Sequence, residues 1–102
     1  MKEIKAIIQP YKLDDVLLAL RAIEDLPAAT VSGCRVAAQH EAHFHEILKS
    51  KLEIVVADDL ADQVVDVIRR AARTGHSGDG RIFVIPVERS VSIRTGEEAS
   101  RV

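Results

Sequence analysis

Alternating apolar and polar residues open the chain, and three apolar side chains would lie on one side of an extended backbone: Ile4, Ala6 and Ile8. This period of two predicts a β-strand over residues 2–9, which Pro10 ends because proline has no N–H to donate to a sheet. A helical spacing follows, with apolar positions at Leu13, Val16, Leu17, Leu20 and Ile23. We expect this helix to end at Pro27.

Three further strands and a short extended piece are predicted where β-branched residues are frequent. They cover residues 29–37, 51–57, 81–87 and 91–94. The first two are separated by a polar loop. A second helix is predicted from a stripe made of Ala61, Val64, Val65, Ile68 and Ala72. Asp58 or Asp59 would cap it, and Gly75 would stop it.

The order strand, helix, strand occurs twice, which predicts one α+β domain over residues 1–102 with the ferredoxin-like βαββαβ sandwich. Both helices would cover one face of the sheet, yet residues 52–56 and 82–85 offer apolar side chains to both faces. A chain of 102 residues has little apolar surface to spare. We therefore predict that the second face is buried against other copies in a closed homo-oligomer.

Composition narrows the range of partners. Charged residues make up 29% of the chain and nearly cancel, to a net charge of -2, so no general attraction to nucleic acid or to an acidic membrane is expected. No apolar run approaches the ~18 residues that span a bilayer, so direct membrane insertion is not expected either. Cys34 is the single cysteine and cannot form an internal disulfide, which favours a reducing, cytoplasmic location.

The densest candidate site is the segment 74–81, which has three glycines between positions 75 and 80. Glycines let successive backbone N–H groups turn toward one point and form an anion-binding nest, beside which Arg81 adds a positive charge. The alternative is a helix stop followed by a tight turn. Arg94 is a candidate second phosphate ligand through its forked donors, or else a solvated charge near the chain end.

Three of the four histidines cluster in residues 39–46: His40, His43 and His45. Together with Glu41 or Glu46 they could supply nitrogen and oxygen ligands to zinc, nickel or copper. The alternative is a solvated polar loop or a pH-sensitive surface for a partner. No Gly-x-Ser-x-Gly elbow occurs, and no catalytic motif surrounds the single cysteine, so a binding module is favoured over an enzyme.

A likeness to known proteins is carried by residues 74–87, TGHSGDGRIFVIPV, and by residues 1–16, 52–56 and 93–97. These segments resemble the P-II family of nitrogen regulatory signal proteins. The resemblance implies a homotrimer whose sheets face the trimer core and which binds ADP or ATP, or AMP, in clefts between subunits. It also implies a T-loop, shortened here to about residues 38–50, that docks onto a membrane transporter or a regulatory protein.

By the same resemblance, the nucleotide site consists of Ile7, Thr30, Glu53, Val55, Gly78, Asp79, Gly80, Arg81 and Arg94. The part from Gly78 to Arg81 would hold the phosphates. Lys49 matches the lysine that, in the family, contacts 2-oxoglutarate or lies at the base of the T-loop. Residues 95–102 would form a C-terminal tail.

Three departures from the family pattern change which ligands and which modification are expected. The T-loop motif Gly-x-Gly-Arg-Gln is absent, where this chain has Val36-Ala-Ala-Gln-His, so the usual sensing of 2-oxoglutarate is not expected. Ser92 replaces the first of two phosphate-binding arginines, which weakens the expected affinity for ATP and leaves ADP, AMP or no nucleotide as alternatives. The single tyrosine is Tyr11, so nucleotidylation of a T-loop tyrosine is not expected.

Two functions are therefore expected. The first is a P-II-like regulator in which a bound nucleotide sets the posture of the loop and so its affinity for a partner. Short-loop P-II-like branches accompany bicarbonate transport or heavy-metal efflux, so the alternative is a metal-responsive protein. In that case His40, His43 and His45 would bind a divalent transition metal, and the nucleotide site would be vestigial.

Overall fold

A four-stranded antiparallel sheet and two helices form the fold, which this computed structural model describes for residues 1–98. The elements are β1 (Lys2–Ile8), α1 (Leu13–Leu20), β2 (Thr30–His40), β3 (His43–Val56), α2 (Asp58–Ala72) and β4 (Gly80–Pro86). The strands lie in the order β2-β3-β1-β4, and every neighbouring pair is antiparallel. The predicted ferredoxin-like βαββαβ sandwich is confirmed. The predicted tail lies partly outside the described residues.

The hydrophobic core lies between the helices and one side of the sheet, which we call the helix face. The prediction that Ile4, Ala6 and Ile8 lie on one side of β1 is confirmed. All three are buried on the helix face, while the alternate residues of the strand are only partly buried. The other buried apolar residues are Val16, Leu20, Ile23, Leu52, Ile54, Val56, Ala61, Val64, Ile68 and Ala72. Burial of these side chains is the main force that holds helices and sheet together.

The opposite side of the sheet, which we call the open face, carries both apolar and charged side chains. Residues directly opposite each other across antiparallel strands share a face. Ile7 lies opposite Arg81 and Lys51, and Lys5 lies opposite Phe83, so all of these belong to the open face. The Phe83 side chain is left 46% exposed. The apolar side chains that the sequence predicts for this face are present, but they alternate with charged ones. Burial of this face against other copies stays a prediction.

The β2–β3 connection differs from the predicted polar loop. The two strands pair without interruption from Thr30 opposite Glu53 to His40 opposite His43, and form one long hairpin. Only Glu41 and Ala42 make the turn, with positive φ values of 50° and 64°. Positive φ at both central residues is the geometry of a tight turn whose twist matches the flanking strands. The segment predicted as a shortened T-loop is therefore the outer part of a hairpin.

The helix ends also differ from their predicted positions. The first helix ends at Leu20, before Pro27, and Ile23 is buried in the turns that follow. Ala57 occupies the cap position of α2, and no side chain caps it. Asp58 lies in the first turn instead, where its carboxylate is 2.9 Å from the amine of Met1. Hydrogen bonding to that amine lowers the pKa of Asp58.

The end of α2 and the segment after β4 are the remaining differences. The second helix ends at Ala72, three residues before the predicted stop at Gly75. Residues 91–94 do not extend as predicted, because Val91 bridges to Glu98 across a turn in which the N–H of Gly96 donates to the carbonyl of Ser92. No helix within residues 1–98 combines the length and apolarity needed to cross a membrane.

Candidate functional site

The glycine-rich loop between α2 and β4 is organised by the carboxylate of Asp79. One carboxylate oxygen accepts the backbone N–H groups of Thr74 and Gly75, at 2.8 and 2.9 Å. The other accepts the hydroxyl of Thr74. This hydroxyl in turn accepts the N–H of His76 at 3.2 Å. The loop is thus a closed, hydrogen-bonded unit and not only a helix stop.

The ionised form of Asp79 is strongly favoured. Hydrogen bonds from Thr74, first from its side chain and then from its backbone N–H, hold the pKa of Asp79 down at about 2. The ordinary value for an aspartate is about 3.9. The negative charge is directed into the loop, where three donors already use its oxygens. Asp79 therefore shapes the loop, and any anion bound there would contact backbone N–H groups and neighbouring cations.

All three glycines of the loop adopt conformations that other residues rarely adopt, since φ is 91° at Gly75, 97° at Gly78 and 106° at Gly80. Gly80 also lies against β1, because a Cβ added there would sit 1.8 Å from the carbonyl oxygen of Ile7. Glycine is required at this point for both space and backbone conformation. The close approach brings the loop against the end of β1.

Lys49 connects the loop to the base of the hairpin. Its ammonium group donates to the carbonyl oxygen of Gly78 at 2.6 Å, and the side-chain amide of Gln9 donates to the same oxygen at 2.9 Å. The Lys49 residue is only 7% exposed. In a trans peptide the C=O and the next N–H point in opposite directions. The two donors therefore turn the N–H of Asp79 away from Lys49.

The residues expected to line the nucleotide cleft have the following positions. The strand register places Thr30 beside Glu53, and Ile7 beside Arg81, all on the open face. Val55 lies on the same face, opposite Glu3. The strands thus align these expected residues in a row that ends at the glycine-rich loop.

Arg94 is separate from the row. It lies in the exposed turn after β4, and within residues 1–98 its guanidinium has no ion pair with the loop. Its expected role at the phosphates stays a prediction.

A pair of carboxyl groups lies at the centre of the open face. The hydrogen bond between Glu3 and Glu53 raises the pKa of Glu3 and lowers the pKa of Glu53, so Glu3 is the partner that holds a proton more readily. Lys51, whose ammonium group is 3.6 Å from the Glu53 carboxylate, and Lys5 further favour the ionised form of Glu53.

The histidine segment forms the tip of the hairpin. His40 and His43 are directly opposite each other and His45 follows two positions later, so the three lie on one face. The rings of His40 and His45 are 6.1 Å apart. No group of three His, Cys, Asp or Glu side chains within residues 1–98 is arranged to hold a metal ion. The three histidines of the hypothetical metal site therefore share one face of the hairpin, but they do not form a preformed set of ligands.

Gln9 is a residue that the sequence analysis missed. Its position directly before Pro10, at the end of β1, gave no sign of a contact with Gly78, which lies 69 residues further along the chain. Arg69 and Arg73, near the end of α2, also had no assigned role in the sequence analysis, and they line a cavity with Asp79, Gly80 and Arg81.

Comparisons with known proteins agree with this architecture. Residues 1–97 match the family described as nitrogen regulatory protein P-II. The chain is 46% identical to the nitrogen regulatory protein P-II of Microchaete diplosiphon over 107 residues, with 96% of each chain covered. It is 42% identical to that of Bradyrhizobium diazoefficiens over 107 residues, with 95% of each covered. The crystal structure of Arabidopsis thaliana PII bound to citrate matches with a TM-score of 0.83 and 39% identity, and covers 96% of this chain and 87% of that one.

The match to this family over nearly the whole chain places the molecule in the class of signal-transduction regulators. Sequence identity above 40% over nearly the whole chain identifies it further. The chain belongs to the nitrogen regulatory protein P-II family. The relatives that it matches are named as regulatory proteins.

Proposed function

We propose that the protein is a cytoplasmic regulator that binds an adenine nucleotide between the subunits of a homotrimer. The nucleotide is ADP or ATP, or AMP, with its phosphates at Gly78, Asp79, Gly80 and Arg81. Binding sets the posture of the β2–β3 hairpin, which controls a partner protein such as a membrane transporter.

One observation carries the proposal: the loop is already folded into a shape suited to an anion. The Asp79 carboxylate accepts hydrogen bonds from within the loop. Lys49 and Gln9 donate to the carbonyl oxygen of Gly78 and so fix the orientation of that peptide. The N–H of Asp79 then points away from Lys49, toward the space where a phosphate would bind. A preorganised site loses less conformational entropy when it binds its ligand.

The open face supports the trimer. Phe83 is 46% exposed in one chain, and Ile7, Val55 and Ile85 on the same face are only partly buried. Apolar surface that is left open in this way is suited to association. In the proposed trimer, Arg94 of one copy would reach the glycine-rich loop of the next. The glutamate pair and its lysines would then lie inside the assembly.

The hairpin is the part of the chain best placed to contact a partner. Phe44 is 70% exposed, Leu48 is 69% exposed and Ile47 is 47% exposed. Exposed apolar side chains on a protruding element are a common basis for protein recognition. Lys49 links this element to the proposed phosphate site, so a ligand that changes the Lys49 contact changes the hairpin.

Calorimetry with ADP, ATP and AMP tests the proposal. We expect wild-type protein to bind ADP and Arg94→Ala to bind it at least about tenfold more weakly, because charge-assisted contacts to phosphate are the strong ones. Arg21→Ala, at the exposed end of α1, is the matched control and should bind like wild type. Absence of heat with all three nucleotides would reject nucleotide binding.

Two further measurements complete this test. Ser92→Arg should increase the affinity for ATP relative to ADP, since it restores a cation that the family carries. Sedimentation equilibrium should give three times the chain mass, and a monomer at micromolar concentration would reject a site built between subunits.

The metal-responsive alternative has weaker support. The three histidines share a face, but their side chains do not converge within the described part of the chain. Calorimetry with zinc, nickel and copper on wild type and on the His40→Ala, His43→Ala, His45→Ala triple variant distinguishes the two functions. Tight metal binding that the triple variant loses would favour the alternative.

A further inference from the structure

The cavity lined by Arg69 and Arg73, of about 450 Å³, opens between α2 and β4 beside the glycine-rich loop. Its apolar lining consists of Ile8, Val65, Ala72 and Ile82, and its charged lining consists of Arg69, Arg73, Arg81 and Asp79. The volume falls within the ~300–1,000 Å³ that is typical of small-molecule sites. An apolar floor with cations at its rim suits a ligand that is itself apolar at one end and anionic at the other.

The cavity lies on the helix face, whereas the proposed nucleotide cleft lies on the open face. Ile8 is buried in the core, and Ile82 lies opposite Ala6, another core residue. Ile7, in contrast, points to the other side of the same strand. The sheet therefore separates the cavity from the row of Ile7, Glu53 and Val55. The two sites meet only at the loop residues from Asp79 to Arg81.

The charge at the cavity is not balanced by the chain. Within residues 1–98 no ion pair joins Arg69, Arg73 or Arg81 to a carboxylate. Asp79 is the carboxylate in the lining, and its oxygens already accept hydrogen bonds from Thr74 and Gly75. The neighbouring Arg70 is different, because it pairs with Asp66 at 3.1 Å. Arg81 belongs to the open face by its strand register, so the cavity's own cations are the two guanidinium groups of Arg69 and Arg73. Their positive charge is one that a dianion would neutralise.

From these observations we infer that the cavity is a second ligand site, which takes a small organic phosphate with an apolar substituent. The phosphate lies between Arg69 and Arg73, whose planar forks match its oxygens in pairs. The apolar substituent lies on Val65 and Ile82. Arg81 and Gly80 border both this cavity and the proposed nucleotide cleft, so the second ligand contacts the same loop from the opposite side.

Arginines in the last turn of a helix also stabilise the negative end of its dipole. This role alone would require neither a cavity nor an apolar floor. It would also be shared by Arg70, which lies in the same turn and does not line the cavity. Arg70 is therefore the matched control in the experiment.

Phenyl phosphate is the probe, with inorganic phosphate for comparison, and binding is followed by NMR titration of ¹⁵N-labelled full-length protein. We expect phenyl phosphate to shift the amides of Ala72, Arg73 and Ile82 and to bind more tightly than inorganic phosphate. Arg69→Gln with Arg73→Gln should weaken its binding at least about tenfold. Arg70→Gln should change it less than twofold. Circular dichroism of each variant checks that α2 is intact.

Three results would overturn the inference: no saturable shifts with phenyl phosphate, equal binding of inorganic phosphate, or equal losses in the Arg70 variant and the double variant. ADP titrations separate this inference from the proposed function. The double variant should bind ADP within twofold of wild type, and a parallel loss of ADP affinity would overturn the existence of a distinct site. Failure of wild type to bind ADP would reject the nucleotide proposal alone.

Discussion

The ammonium group of Lys49 donates a hydrogen bond to the carbonyl oxygen of Gly78 at 2.6 Å, across 29 positions of sequence. This contact joins the strand that leads to the hairpin tip with the loop proposed to hold phosphates. Gln9 adds a second, uncharged donor to the same oxygen. The peptide that follows Gly78 is thereby fixed in orientation by Lys49 of β3 and by Gln9, directly after β1.

Lys49→Met removes the charged donor and keeps a side chain of similar length. We expect ADP affinity to fall about tenfold, because a charge-assisted hydrogen bond contributes on the order of 1.5–3 kcal/mol. Stability should change little, since the substitution also removes a nearly buried charge. Gln9→Ala should produce a smaller loss of the same kind. Unchanged ADP affinity and unchanged amide shifts in residues 78–80 of the Lys49 variant would contradict this role.

Thr74→Val tests the closure of the loop by its pH dependence. A carboxylate with a lowered pKa stabilises the folded loop at pH values above its ordinary pKa, and this contribution is lost as the pH falls toward about 2. Without the Thr74 hydroxyl, the pKa of Asp79 should rise toward its ordinary value, so the loop should open at a higher pH. Carbon-detected NMR of the Asp79 carboxyl group measures this shift directly.

The control for that titration is Thr95→Val. The Thr95 hydroxyl accepts the N–H of Glu97 and makes no contact with Asp79, so the same chemical change should leave the Asp79 titration where it is. An equal shift in both variants would mean that the Thr74 hydroxyl does not set the pKa of Asp79.

Gly80→Ala should lower the free energy of unfolding by about 2–4 kcal/mol, because the new methyl group would meet the Ile7 carbonyl oxygen and the backbone φ is positive. Gly33→Ala makes the same change in β2, where no atom lies within 4 Å. We expect that control to be neutral or to stabilise by up to about 1 kcal/mol. Urea denaturation compares them, and similar midpoints would show that β1 does not approach the loop this closely.

Ala42→Gly should stabilise the hairpin turn, because an L-residue with positive φ costs roughly 1–2 kcal/mol that glycine avoids. The expected gain of about 1 kcal/mol slows amide exchange in the outer hairpin about fivefold. Ala38→Gly, in the paired part of β2, should have the opposite effect. Faster exchange in the Ala42 variant would mean that the segment does not form this turn.

The sequence predicted the fold well where one side of an element is buried. The period of two in β1 and the helical stripe of α2 both reflect a core, so their residues appear at the predicted positions in the structure. The outer hairpin has no such constraint, because residues 37–48 are exposed on both faces. Its alternation therefore carries no apolar pattern. Glu41 and Ala42 also lack the Asn-Gly or Asp-Gly signature of a tight turn.

Only those parts of the candidate site that impose a local constraint on the backbone could be predicted from the sequence. Glycines at positions 78 and 80 are visible in sequence because they impose a backbone conformation. The inward direction of the Asp79 carboxylate was not visible, since it depends on where the Thr74 and Gly75 N–H groups point once the helix has ended. Contacts of Gln9 and Lys49 with Gly78 arise only when the sheet brings three distant segments together.

The paired hairpin has a mechanical consequence. From Lys49 to His43 the strand continues for six residues, which at about 3.3 Å per residue is an arm of roughly 20 Å. A tilt of about 10° at the base of a stiff arm of that length displaces its tip by roughly 3–4 Å. A disordered loop would dissipate the same tilt within a few bonds. Continuous pairing would thus transmit a tilt at the base of the hairpin, where Lys49 lies, to the histidine-bearing tip as a displacement of a few ångströms.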